Sequence, residues 1–380
     1  LNNWALEKSR AKFYSIHHCE QGNTKEQIMK AAIFYGAKDI RVENVAEPQS
    51  VGAGEVRLKP LWCGICGTDV HEYAMGPIVI PSKPHKLNGS ILPQILGHEF
   101  SAEVLELGKG VTNVKVGDRV SAMPLLSCGV CYFCSRGDNH LCTSMACIGL
   151  SCEWGGIAEQ AVVPAANVFT LHDNVSDVAG ALVEPTAVAA YGVDRGNVRP
   201  GDTILITGAG PIGALAALYA ENLGARVYVS ELNPNRQKMM NDLGVATLLD
   251  PTKDDVIAAM KDATGGIGVD AVIECSGNER ALQTAIKAVR SGGYVVQTGL
   301  HTAPASIEPM ELAEREITYT GTWCYPVTDW PRIIDLIGRR GLAVEKVVSS
   351  TINMDDIVGK GFEELVSPTG TETKVLVRGH

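Results

Sequence analysis

Thr203-Ile-Leu-Ile-Thr207 is a run of strand-forming residues that leads straight into Gly208-Ala-Gly210-Pro-Ile-Gly213 and then an Ala- and Leu-rich stretch. Few local patterns restrict a fold so tightly. The first glycine permits a tight turn, the second lets a pyrophosphate approach the backbone, and the third lets helix and strand pack closely. Pro211 and Ile212 open the following helix, whose N-terminus offers free N–H groups and a partial positive charge to phosphates. Gly208, Gly210, Pro211, Ile212 and Gly213 are therefore the expected coenzyme-binding turn. Glu231 closes the next strand. Its carboxylate can accept ribose hydroxyls and repels a 2′-phosphate, which favours NAD over NADP. Arg236, five residues on, can meet a ribose or a phosphate.

Around this turn the rhythm is strand, helix, strand, helix. Apolar strands are expected at 203–207, 226–230, 247–249, 269–274, 294–297 and 317–320, with helical segments at 214–223, 235–243 and 279–289. Six strands with crossovers predict a doubly wound parallel sheet over residues 184–322. Residues 29–183 read differently, as short alternating strands broken by Gly and Pro, for example Glu55-Val-Arg-Leu-Lys59. Residues 323–380, with a helix at 330–339 and terminal strands, are expected to rejoin that first domain. Residues 1–28 are polar and unpatterned and are expected to be a disordered or non-native extension.

The chain is acidic, with 43 Asp and Glu against 33 Lys and Arg. It has no long run of like charge, which argues against nucleic acid or an anionic membrane surface as partner. Its longest apolar stretch, 204–220, is interrupted by the glycine turn, so no membrane span is expected. The expected partner is a small molecule. Eleven cysteines, several clustered at short spacings, suit metal binding in the cytoplasm better than disulfides.

One cluster is Cys128-Gly-Val-Cys131-Tyr-Phe-Cys134 with Cys142 following. Four thiolates at this spacing can wrap one tetrahedral zinc and leave no open position, so the metal would be structural. Spacing alone leaves an iron–sulfur cluster or two disulfides open. Three further elements are scattered: Cys63-Gly-Ile-Cys66-Gly-Thr68-Asp69-Val-His71, Gly97-His98-Glu99 and Glu184-Pro185. A catalytic zinc takes three protein ligands and one exchangeable site. By themselves these residues read equally as a redox pair, a buried hydrogen-bonded couple and a helix-terminal charge.

The order of these elements over residues 29–380 resembles the zinc-containing medium-chain alcohol and polyol dehydrogenases. The resemblance implies a GroES-like β-rich catalytic domain with an inserted Rossmann coenzyme domain. It implies one catalytic zinc on Cys66, His98 and Glu184, with Glu99 a neighbour able to approach or replace a ligand, and one structural zinc. Asp69 would orient His98. Hydride transfer between a secondary alcohol and NAD would follow, with a proton relay from Thr68 through a ribose hydroxyl to His71. Within the family, Gly76-Pro-Ile-Val-Ile-Pro81 and Gly321-Thr-Trp-Cys-Tyr325 are similar to (R,R)-2,3-butanediol dehydrogenases. A butanediol/acetoin pair is thus the first expectation and a sorbitol-like polyol the second. Tyr73, Trp154 and Trp323 are aromatic residues for the pocket wall or for the core. A zinc-free reductase or a non-catalytic NAD(P)-binding structural protein on this scaffold would lack the ligand residues present here. A homo-oligomer, dimer or tetramer, is expected, with strand 317–322 as a sheet edge that pairs with its twin.

Overall fold

The computed structural model describes residues 27–367 and 369–379. Apart from Gln27 and Ile28, the proposed extension 1–28 lies outside the described residues. The described chain divides into two compact units. One holds the residues up to Leu182 together with those from Ser350 onward; the other is Val183–Ser349.

In the first unit, a mixed sheet runs in the order Val168–Thr170, Arg119–Ala122, Glu99–Leu107, Glu55–Gly64, Val375–Arg378 and Ser350–Asn353. Alternation sets its inner face: in Glu55–Gly64 the side chains of Val56 and Leu58 are fully buried while the residues between them are half-exposed. Glu99–Leu107 and Val375–Arg378 flank this strand, both antiparallel to it. A second sheet orders Asp39–Ala46, Ile28–Gly36 and Gln94–Ile95. Met29, Ala31 and Ile33 point from it into a cluster with Ile95 and Ala158.

In the second unit the sheet order is Thr247–Leu249, Arg226–Ser230, Thr203–Thr207, Val269–Glu274, Val289–Gln297 and Thr318–Gly321. Every pairing is parallel. This is the doubly wound order, in which the chain reverses direction beside Thr203–Thr207 and leaves a crevice at the carboxyl ends of the strands. Near-continuous apolar runs such as Ile204–Ile206 and Ala271–Ile273 are buried because helices cover a parallel sheet on both faces. Among the described residues, no helix is long and apolar enough to cross a membrane.

The return to the first unit comes later than residue 323. The helix Trp330–Arg340 stays with the second unit, burying Trp330, Ile333, Ile334 and Ile337. Each such side chain contributes about 1.5–3 kcal/mol by burial. Arg332 fastens the helix further, donating to Tyr219 Oη at 2.6 Å and to Asp194 Oδ2 at 2.6 Å. Only the terminal strands Ser350–Asn353 and Val375–Arg378 complete the first sheet. An amphipathic helix shows in sequence that it has an apolar face, and nothing local says which core will receive it.

Candidate active site and metal centres

In the first unit the helix Gly67–Met75 begins immediately after Cys66, its N-cap residue. Asp69 Oδ2 accepts from the Cys66 backbone N–H at 2.9 Å, satisfying one of the donors a helix start leaves free. The same carboxylate turns its other oxygen toward His98, with Oδ1 3.5 Å from Nδ1. Asp69 thus fixes the backbone of one candidate ligand and faces the ring of another. His98 and Glu99 enter from the neighbouring strand Glu99–Leu107, after Gly97, whose φ of 102° only glycine adopts readily. A Cβ at Gly97 would also crowd Cys63 Sγ at 2.6 Å.

The outcome is a convergence of Cys66, His98 and Glu99, whose ligand atoms all lie within 4.8 Å of one another. His98 and Glu99 are buried and Cys66 is half-buried. Burial opposes a charge on His98, yet the Asp69 carboxylate and the Cys66 sulfur outweigh it and hold the imidazole pKa well above its usual value. Burial is also the main force raising the Cys66 thiol, with Glu99 adding to it. The Lys374 ammonium meets part of the Glu99 charge, and a cation joining the thiol, the imidazole and the carboxylate would meet the rest. The donor set, sulfur with imidazole and carboxylate, suits zinc.

Glu184 lies in the first turn of the helix Val183–Arg195 in the second unit and is itself buried. Thr68 and His71 sit on the helix Gly67–Met75 with spacing i, i+3, which puts them on one face; both are half-buried. Tyr73, on the same helix, is buried and packs its ring 5.1 Å from that of Phe362, so it serves the core.

Next to it, Glu72 carries a role the sequence did not signal. Its carboxylate accepts from the N–H groups of Ile78 at 2.9 Å, Ile80 at 3.1 Å and Val79, clasping the segment that follows the helix. No motif marks Glu72, because its partners are backbone groups that any residue would supply.

The four sulfurs of Cys128, Cys131, Cys134 and Cys142 also lie within 4.8 Å of one another. Cys131 and Cys134 Sγ are 3.4 Å apart, Cys128 and Cys134 Sγ 4.0 Å. A zinc bonded to four sulfurs at about 2.3 Å would set them about 3.8 Å apart, whereas a disulfide needs about 2.05 Å. The quartet fits the metal. Backbone N–H groups, chiefly of Cys134 and Thr143, hold the Cys131 thiol down to about 6, while burial pushes Cys134 up to about 12. Cys142 Sγ receives N–H groups from Cys128 at 3.3 Å and Ser144 at 3.4 Å, the orientation a thiolate requires.

In the second unit, Gly208 has a φ of 90°, and a Cβ at Gly213 would strike the Gly208 carbonyl oxygen. A Cβ at Gly210 would meet nothing within 4 Å, so open space lies above the middle glycine. The helix Pro211–Asn222 starts here with Gly210 as N-cap and Pro211 in its first turn. Glu231 is buried and accepts from Ala209 N at 2.6 Å and Asn233 N at 2.7 Å. Each oxygen keeps a second lone pair for another donor. Arg236 Nη1 stands 4.0 Å from Glu231 Oε2. The buried Glu274, at the end of the strand Val269–Glu274, accepts from Ser276 N at 2.8 Å and from Gly277 N, and Gln297 also donates to it. It thereby ties two loops at the sheet's carboxyl edge, another pairing no local pattern revealed.

Comparison with known proteins agrees across both units. Residues 52–173 match the alcohol dehydrogenase GroES-like domain and residues 211–339 the zinc-binding dehydrogenase domain. The chain is 39% identical over 353 residues to "(R,R)-butanediol dehydrogenase" of Bacillus subtilis, covering 92% of this chain and 99% of that protein. It is 38% identical over 344 residues to "L-threonine 3-dehydrogenase" of Pyrococcus furiosus, covering 88% and 94%. The crystal structure of 2R,3R-butanediol dehydrogenase from Bacillus subtilis superposes with a TM-score of 0.86 at 38% identity, covering 93% of this chain and all of that one. Matches of this length and identity, on a chain whose cysteines, histidine and glycine turn already ask for a metal and a dinucleotide, leave one family: the chain belongs to the zinc-binding alcohol dehydrogenases, oxidoreductases that use zinc and NAD.

Proposed function

We propose that this protein interconverts a small vicinal diol and its hydroxyketone with NAD, (R,R)-2,3-butanediol and acetoin being the preferred pair. The observation that carries the reading is the convergence of Cys66, His98 and Glu99 in a chain similar over nearly its whole length to butanediol dehydrogenases. Cys66 and His98 are the fixed metal ligands, with Nδ1 of His98 turned to Asp69 so that the other ring nitrogen serves the ion. Glu99 stands beside them as a carboxylate that can approach or replace a ligand, and Glu184 is the third ligand that the family resemblance implies. Zinc held there supplies Lewis-acid polarisation of the substrate oxygen, and NAD accepts the hydride. Cys128, Cys131, Cys134 and Cys142 hold a second, structural zinc.

Thr68 Oγ1 orients the substrate hydroxyl, and His71, one turn along the same helix, takes the proton away. Thr68→Val should lower kcat roughly a hundredfold or more while zinc content and NADH affinity stay at wild-type values. Full turnover in that variant would remove Thr68 from the reaction.

Gly208, Gly210, Pro211, Ile212 and Gly213 receive the pyrophosphate, and Glu231 the adenosine ribose. Because Glu231 also neutralises Arg236, its loss would leave that guanidinium free for a 2′-phosphate. Glu231→Ser should shift the NAD/NADP ratio of kcat/KM toward NADP by roughly tenfold or more, and an unaltered ratio refutes the assignment.

The substrate reading is tested by following NADH with (R,R)-, meso- and (S,S)-2,3-butanediol, sorbitol, L-threonine and simple alcohols. A higher kcat/KM on sorbitol or L-threonine than on the (R,R)-diol overturns it. We further place the enzyme in the cytoplasm, where a thiol quartet stays reduced, and as a homo-oligomer joined through the edge strand Thr318–Gly321. Sedimentation that finds a monomer disproves the assembly.

A further inference from the structure

Glu99 is held from a direction that the metal does not explain. Three strands run side by side, with Glu55–Gly64 in the middle. Its last residue, Gly64, pairs with Glu99 on one side and with Leu376 on the other. Lys374, two residues before Leu376, enters over the same point. Its Nζ donates to Glu99 Oε2 in a close ion pair and to the Ile65 carbonyl oxygen at 3.1 Å. Both side chains are 1% exposed.

Gly64 is what lets them meet. A Cβ there would collide with Glu99 Oε2 and approach Lys374 Nζ to 3.0 Å. A buried lysine is costly to desolvate, and this one lies against Glu99, the carboxylate that converges with Cys66 and His98 among the described residues.

We propose that Lys374 is a positioning residue that keeps Glu99 an exchangeable metal donor. It grips one carboxylate oxygen and competes with the ion for the group's negative charge. Glu99 therefore binds zinc weakly enough to yield its place to a substrate oxygen. The inference rests on the catalytic zinc site proposed above.

Two substitutions pull in opposite directions. Lys374→Met keeps the length and removes the charge, so zinc gains the share of the Glu99 charge that the ammonium held. Release of catalytic zinc to a chelating dye should slow roughly tenfold or more, with kcat reduced. Lys374→Arg offers a fork that can hold both carboxylate oxygens and draw Glu99 off the metal, so release should accelerate. In a Glu99→Gln background both effects should vanish. A merely structural role for Lys374 would instead speed zinc loss in both variants.

Unchanged or faster release from Lys374→Met overturns the proposal. If that variant does not fold, Lys374→Arg decides alone: release no faster than wild type, or acceleration that persists with Gln at position 99, overturns it. The underlying site is tested separately, since Cys66→Ala that keeps the full zinc content would show that no ion binds there.

Discussion

His98→Ala is expected to remove about one zinc ion per chain and to lower turnover roughly a thousandfold or more. The expectation follows from where the imidazole stands. It faces Asp69 at 3.5 Å on one side and joins Cys66 and Glu99 in the converging group on the other. Without the ring, a thiol and a carboxylate remain, too few fixed donors for a closed three-ligand zinc site. Loss of the Lewis acid would forfeit several kcal/mol of charge stabilisation at the substrate oxygen. Lys374, the nearest buried ammonium to Glu99, is already paired there. Elemental analysis with steady-state kinetics checks both halves. Full zinc content together with lost activity would assign His98 to acid–base chemistry alone.

Cys131→Ala should empty the cysteine quartet and unfold its lobe locally. Val130 and Tyr132, between the first three sulfurs, are 85% and 63% exposed, so apolar burial does little to hold this segment. Short 3₁₀ turns at Cys134–Arg136 and Asn139–Leu141 supply little more. Structural zinc contributes about 10 kcal/mol or more in small zinc-folded peptides, far beyond what these turns can offer. Hydrogen exchange should accelerate at least about a hundredfold for the amides of residues 128–142, while the parallel sheet of the second unit keeps its protection. Unaltered exchange in the lobe would mean that the sulfurs are not what shapes it.

Much of this protein is legible locally. The turn at 208–213 states its own fold, because strand, glycines and helix follow in one short segment and each glycine answers a backbone demand. The cysteine quartet is equally self-contained, its ligands all within one loop. The β-rich and doubly wound units follow from a change of period, from alternating strands to strands spaced by helices, and the resemblance supplied the GroES-like reading of the first. Long-range partners are another matter. The destination of the helix Trp330–Arg340 depended on Asp194 and Tyr219, far earlier in the chain. Glu72, Glu274 and Lys374 give no signal at all, since a buried carboxylate or ammonium looks in sequence like any surface charge.

From its sequence alone, then, the chain already settled its two architectures, its dinucleotide turn and the residue types available to a metal. Tertiary structure alone decided that Glu99 would stand beside Cys66 and His98, and that Lys374 would grip it. The reason is physical: a motif encodes bonds among neighbours, whereas a ligand set is chosen by which strands happen to lie edge to edge, and register is a property of the folded sheet.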